Sequence, residues 1–272
     1  MEKFKHIKFS KSGVQSTILL NRPGLHNALN PEMMEELHVA LDDLAGDDSI
    51  RFVVLAGEGQ SFCAGADINW FAGTVDRGKG ENWQEYLRMA ELLKKLAYFP
   101  KITIAAAHKN VLGGANGLLA ACDFSVAEKS TVFAFGEVKL GLVPAIILPF
   151  VAKRLSTQNL KKLMFSGERF GTVEAHAIGL VDFLADDGKR MELVNQLISD
   201  LKKVSPSALK ACKQLILNID SGEVGVDSSE YTAAVLANLV NSDEGQEGLR
   251  AFLEKRTPDW SAKSVIAGLH KQ

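Results

Sequence analysis

Two short runs of small residues place bare backbone where chemistry can happen: Cys63-Ala64-Gly65-Ala66-Asp67 and Leu112-Gly113-Gly114-Ala115-Asn116-Gly117. Each follows an apolar, strand-like stretch, residues 52–56 for the first and Ile102–Ala107 for the second. Small residues after a strand let a ligand approach the main chain, and amides there can point outward at negative charge. Two such turns, brought side by side by parallel strands, would offer two N–H groups to one oxygen. That is the construction of an oxyanion hole, which stabilises charge that develops in the transition state. Carbonyl chemistry is the expectation.

Those turns need a layered scaffold. Residues 14–20 read as a strand that ends at the turn Asn21-Arg22-Pro23-Gly24. Asn30 reads as the N-cap of a helix with Pro31 in its first position, and Met34, Leu37, Ala40, Leu41 and Leu44 recur at helical spacing. Residues 71–80 hold three glycines and mixed charges and read as a mobile loop. Leu87, Ala90, Leu93 and Leu96 mark the helix after it, and short strands are expected at 124–127 and 131–135. Beyond Pro144 the pattern turns to successive helices, broken by a strand-like piece at 179–183, and it is almost wholly helical from about 193 to 253. Repeated strand–helix units before a helical tail predict an α/β protein with a parallel-sheet core and an all-α C-terminal segment.

Composition narrows the partners. The chain has 272 residues, 46% apolar and 24% charged, with a formal net charge of −2, so no strong attraction to nucleic acid or acidic membranes is expected. Cys63, Cys122 and Cys212 are widely spaced and form no CxxC, which suits thiols in a reducing compartment and gives no metal-ligand spacing. The start, Met1-Glu2-Lys3-Phe4-Lys5-His6, lacks the apolar core of a signal peptide, and no apolar run approaches the ~20 residues that span a bilayer. A cytoplasmic protein without a metal is the expectation. Gly57-Glu58-Gly59-Gln60-Ser61-Phe62 lacks the last glycine of a dinucleotide fingerprint, so nucleotide-dependent redox work finds little support.

Further motifs join the two turns in order along nearly the whole chain: Leu20-Asn21-Arg22-Pro23, Asn27-Ala28-Leu29-Asn30, Ala121-Cys122-Asp123, Glu137-Val138-Lys139-Leu140-Gly141-Leu142-Val143-Pro144 and Ala251-Phe252-Leu253-Glu254-Lys255-Arg256. Together they resemble the crotonase superfamily, the enoyl-CoA hydratase/isomerase family. The resemblance implies a crotonase-like fold of repeated ββα units in residues 1–192, carrying the acyl-CoA site, and a helical region in 193–272 that serves trimer formation, often doubled into hexamers. It also implies an acyl-CoA substrate and no cofactor beyond the coenzyme A that the substrate carries. The amides of Ala66 and Gly114 would hold the thioester oxygen. Backbone around Ala64, Ala66, Asp67, Ile68 and Gly113 would contact the coenzyme, Arg22 or His26 its phosphates, and Phe252 and Lys255 the coenzyme bound to a neighbouring subunit.

The acid–base group is where the chain departs from its resemblance. Typical hydratases of the family use two glutamates; the position of the first is Gly117 here, and the second is Glu137. A desolvated Glu137 would have a raised pKa suited to shuttling a proton. Gly117-Leu118 followed by Phe133-Ala134-Phe135-Gly136-Glu137-Val138-Lys139 resembles 3-methylglutaconyl-CoA and γ-carboxygeranoyl-CoA hydratases, which share that departure. Hydration across a 2,3-double bond is therefore expected, with Asn116 or a substrate carboxylate helping to hold the water. A double-bond isomerase using Glu137 alone is the close alternative, and a coenzyme-binding protein that has lost catalysis is a third. His108, Asp123 and Asp182 are expected to bond nearby backbone; Trp70 and Phe71 line the acyl pocket or pack in the core.

Overall fold

Apolar runs of strand length, buried on both faces, form the centre of the protein. In this computed structural model, which describes residues 4–260, β1 (Ile7–Ser12) and β2 (Gln15–Leu20) make an antiparallel hairpin at one edge of a six-stranded sheet. β3 (Phe52–Gly57), β4 (Ile102–Ala107), β6 (Phe124–Glu128) and β9 (Phe183–Ala185) follow β2, all in parallel, giving the order β1-β2-β3-β4-β6-β9. Every residue of β3 and of β4 is buried, as expected of parallel strands covered on both faces. The register Val54↔Ile104 and Ile104↔Phe124 brings the C-terminal ends of β3 and β4, beyond which the two small-residue turns lie, to the same end of the sheet.

A second sheet is built from β5 (Asn110–Leu112), β7 (Val132–Ala134) and β8 (Arg169–Gly171), in the order β5-β7-β8. The helices of this part are α1 (Pro31–Ala45), α2 (Ile68–Ala72), α3 (Lys79–Ala97), α4 (Gly114–Ala121), α5 (Leu148–Val151), α6 (Thr157–Ser166) and α7 (Thr172–Ala177). Asn30 caps α1 as its sequence requires, its side chain accepting from the Met33 amide at 3.0 Å, and Met34, Leu37, Ala40, Leu41 and Leu44 are the buried face. α8 (Arg190–Leu201), α9 (Pro206–Asp220), α10 (Ser229–Val240) and α11 (Asp243–Leu253) complete the chain's helices among the described residues. Contacts divide the protein into two compact units, up to Val194 and from Asn195 onward.

Three local readings change. β1, β5 and β8 form without a sequence signal of their own, because each is short and is stabilised by a neighbouring strand distant in sequence or by a hairpin around Gly13 (φ +57°). The expected loop at 71–80 is shorter: residues through Ala72 belong to α2, capped by Asp67, and α3 starts at Lys79. The strand-like run at 179–183 pairs only from Phe183. Gly179 is left-handed (φ +91°), and the Asp182 carboxylate takes the Ser125 amide at 2.7 Å, so the chain turns there before joining the sheet.

Candidate active site

The first small-residue turn is fixed by backbone pairing on both sides. Cys63 donates its amide to Asn110 O (3.1 Å) and accepts from Leu112 N (3.2 Å), while Leu29 donates to Gly65 O (2.7 Å) and accepts from Asp67 N (2.8 Å). The pairing therefore skips Ala66, whose side of the chain is exposed. Gly65 is left-handed (φ +92°), and a Cβ there would lie 2.7 Å from Leu112 O, so only glycine allows this close approach to the second turn.

The second turn is built from β5 and β7. Gly113 adopts φ +50°, ψ −122°, donates its amide to Ala134 O at 2.9 Å, and hands the chain to Gly114, the first residue of α4. As a first-turn residue, Gly114 has an amide with no intrahelical acceptor. Among the described residues, neither the Ala66 amide nor the Gly114 amide has a hydrogen-bond acceptor, and both residues line one cavity. The positive end of α4 adds to the field at that point.

Asp67 is the device that secures the end of the first turn. Its carboxylate accepts from the amides of Asn69 (2.8 Å) and Trp70 (3.3 Å), capping α2, and pairs with Arg22 at 2.6 Å. Burial opposes its charge, but the Arg22 hydrogen bond and the two amides together hold its carboxyl below the usual range. Arg22 also donates to Ala28 O at 2.6 Å, and its side chain is 13% exposed. Its two terminal nitrogens each make a hydrogen bond inside the protein, so Arg22 braces the turn.

Glu137 enters the same cavity from the other side of the chain. Phe133 of β7 and Phe135, which follows that strand, both stack on Phe170 (centroids 5.5 and 6.0 Å apart), which anchors the 3-10 turn Gly136–Leu140 that carries the carboxyl. One carboxyl oxygen, Oε2, is buried with no hydrogen-bond partner, and burial raises the pKa of the group. The cavity holds about 390 Å³ and is walled mainly by apolar side chains: Leu29, Trp70, Phe71, Met89 and the segment from Leu142 to Ile147. Among the described residues, Glu137 is the only carboxylate that lines it. Trp70 and Phe71 thus prove to be pocket walls, and Trp70 meets Tyr86 edge to face at 6.3 Å.

The neighbouring candidates have other tasks. Asn116 is fully buried, its Nδ2 donating to Ala134 O (2.9 Å), Gly113 O (3.1 Å) and Val111 O (3.3 Å), which ties the turn together, while its Oδ1 is buried without a hydrogen-bond partner. His108 bonds Gly59 O at 2.9 Å, Asp123 accepts from the Thr103 amide at 2.7 Å, and Asp182 serves Ser125, as expected. Burial pushes the Cys63 thiol up to about 12, which removes it as a nucleophile. His26 faces Ser61 Oγ at 3.1 Å. Of the residues expected to meet coenzyme, the amides of Ala64, Asp67 and Gly113 are bonded within the protein, and Ile68 is 83% exposed. Phe252 is exposed at the end of α11, and Lys255 follows that helix with φ +54°.

Tyr86, Met89 and the wall from Leu142 to Ile147 are pocket residues that sequence reasoning missed. Their types signal core, not site. The nearest clue is that Leu142-Val143-Pro144 stays apolar directly after the Glu137 motif without helical or strand period.

Comparison with known proteins fits this geometry. Residues 10–263 match the model of the family described as enoyl-CoA hydratase/isomerase. The chain is 32% identical to the 2,3-dehydroadipyl-CoA hydratase of Escherichia coli, covering 90% of this chain and 94% of that protein. It is 27% identical to the trans-2-decenoyl-(acyl-carrier-protein) isomerase of Streptococcus mutans, covering 96% and 99%. A crystal structure of an enoyl-CoA hydratase from Shewanella pealeana superposes with a TM-score of 0.90 at 29% identity, covering 95% of this chain and 97% of that one.

Proposed function

Because the chain belongs to the enoyl-CoA hydratase/isomerase family, we propose that it adds water across the 2,3-double bond of an acyl-CoA thioester. One observation carries the reading: two unpartnered amides, Ala66 and Gly114, and one unpartnered carboxyl oxygen, on Glu137, meet in a single apolar cavity. With the thioester oxygen on the two amides, attack of water at C3 moves the double-bond electrons toward the carbonyl, and the resulting enolate oxygen is held by both N–H groups. Glu137 takes the proton from the attacking water and passes it to C2, so the elements of one water end on C2 and C3. The apolar walls exclude bulk solvent and strengthen both hydrogen bonds.

In this proposal the reaction needs no metal or cofactor apart from the coenzyme A of the substrate. Backbone at Ala64, Ala66, Asp67, Ile68 and Gly113 takes the coenzyme, and Phe252 and Lys255 reach the coenzyme of a neighbouring subunit. Exposed Ile216, Ile219, Leu236, Val240 and Leu253 on α9–α11 support assembly as a homotrimer, alone or paired into a hexamer. No helix among the described residues is long and apolar enough to cross a membrane, which fits the cytoplasmic placement we propose.

A second reading, a shift of the double bond between the 2,3- and 3,4-positions with proton transfer between C2 and C4, is favoured by the single carboxylate. Incubation of the purified protein with 2-enoyl-CoA and with 3-enoyl-CoA separates the two. Accumulation of 3-hydroxyacyl-CoA from the first substrate is expected; a shifted double bond with no hydroxyacyl product would replace the hydratase by the isomerase.

A further inference from the structure

α4 presents Gly114 and Gly117 three residues apart, hence on the same side of the helix. The first offers its amide to the cavity; the second offers nothing. Gly117 is not required by backbone conformation, since its φ lies outside the left-handed region. It is required by volume. A Cβ there would overlap Ile147 Cγ2, and would stand 2.8 Å from Leu93 Cδ1 and 3.0 Å from Ile147 Cβ. Ile147 is itself buried, lines the cavity, and arrives on the same segment that follows Glu137.

We propose that Ile147, seated with Leu93 over Gly117, is a specificity-determining residue: it occupies the space in which a second acid–base group on α4 would stand, and so confines proton transfer to Glu137. The two glycines of the helix therefore have opposite purposes. Gly114 is bare so that its amide can be reached, and Gly117 is bare so that an aliphatic plug can close the next turn. Leu93 is held by the buried face of α3, with Met89, Leu92 and Leu96, so the plug has a rigid backing. Ile147 and its chain neighbours Ala145 and Ile146 bring only apolar side chains to the cavity, whose polar side-chain atoms come from Trp70, Tyr86 and Glu137. Of these three, Glu137 alone can accept a proton from water in its ionised form.

The inference rests on the acid–base role given to Glu137 above, and its test separates the two. Gly117→Glu is expected to lower kcat/KM for hydration at least 100-fold, because the side chain has no room. Adding Ile147→Ala is expected to raise kcat/KM at least tenfold over that single variant and to add a second ionisation to its pH profile. The native protein is expected to show one ionisation in the acid limb. A merely structural rescue would restore rate without changing the profile. Calorimetric binding of a saturated acyl-CoA and circular dichroism report whether each variant keeps its fold and site. A folded, acyl-CoA-binding double variant with a one-ionisation profile overturns the proposal, as does a Gly117→Glu protein with native turnover. Should the glutamate pair fail to fold, Gly117→Ala and Gly117→Ala/Ile147→Ala are the second pair. Independent, additive effects of these two positions on Tm and kcat/KM would equally overturn it. A native protein that hydrates nothing but shifts double bonds defeats the hydratase reading alone, and the same profiles are then taken on the shift.

Discussion

The carboxyl of Glu137 stands where a side chain on Gly113 would begin: a Cβ on that glycine would come within 3.2 Å of Glu137 Oε1. The carboxyl and the second small-residue turn thus lie side by side, 24 positions apart in sequence, and a side chain at position 113 would crowd Glu137. In the mechanism proposed above, that closeness lets a single carboxyl work beside the two amides.

Replacing that carboxyl should separate binding from chemistry. Glu137→Gln is expected to lower kcat by about 10²–10⁴-fold, the usual contribution of a positioned acid–base group. Affinity for a saturated acyl-CoA should stay near that of the native protein, since the amides of Ala66 and Gly114 are untouched. Unchanged turnover would remove Glu137 from the mechanism.

Burial of Glu137 has a consequence for stability as well as rate. Its folded-state pKa lies above the unfolded value, so between the two the folded protein binds the extra proton, and stability falls as pH rises through that window. Glu137→Gln should therefore raise Tm at neutral pH, with the gain disappearing below the ordinary carboxylate range. Because the ionised form accepts the water proton, native activity should fall as pH drops through the raised pKa. Scanning calorimetry and initial rates over a pH series test the two halves separately, and a Tm difference that grows toward acid would contradict the first.

At Gly65 the main chain itself is the reagent. Gly65→Ala must accommodate φ +92° and a Cβ at 2.7 Å from Leu112 O, a strain of about 1–3 kcal/mol. If relaxation turns the Ala66 amide away, kcat should fall by about 10²–10³, the loss seen when one oxyanion donor is removed. Full activity in a variant whose crystal structure shows the Ala66 amide turned out of the cavity would remove that amide from the reaction.

Arg22 and Asp67 form a pair whose side chains are 13% and 7% exposed, so removing one partner leaves the other charge nearly stripped of water. Arg22→Ala is expected to destabilise the protein by about 3–5 kcal/mol, and Arg22→Ala/Asp67→Asn by less. A contact with coenzyme phosphates would instead raise KM and leave Tm alone. Chemical denaturation of the single and double variants, beside KM, distinguishes the two.

Much of this protein is written locally. Asn30-Pro31 starts α1 because a capping side chain and a fixed φ act within one turn, and the apolar runs at 52–56 and 102–107 are strands because nothing in them can face water. The two small-residue turns announce free backbone for the same reason, and the motif order over the whole chain gives the family. What stayed hidden depends on contacts between distant residues. The 71–80 stretch was richer in glycine than in structure by composition, yet Asp67, itself held by Arg22, starts a helix before it. The resemblance offered Arg22 or His26 to the coenzyme phosphates; only the tertiary structure supplies the buried carboxylate of Asp67 with which Arg22 pairs.

By itself the sequence determined that two strand-end turns would bare their amides and that one glutamate, and no second, would accompany them. The tertiary structure decided which amides remain free, where that glutamate points, and what fills the place beside Gly117. Such outcomes depend on which atoms compete for the same donor or the same few cubic ångströms, and those competitors lie tens of residues apart along the chain.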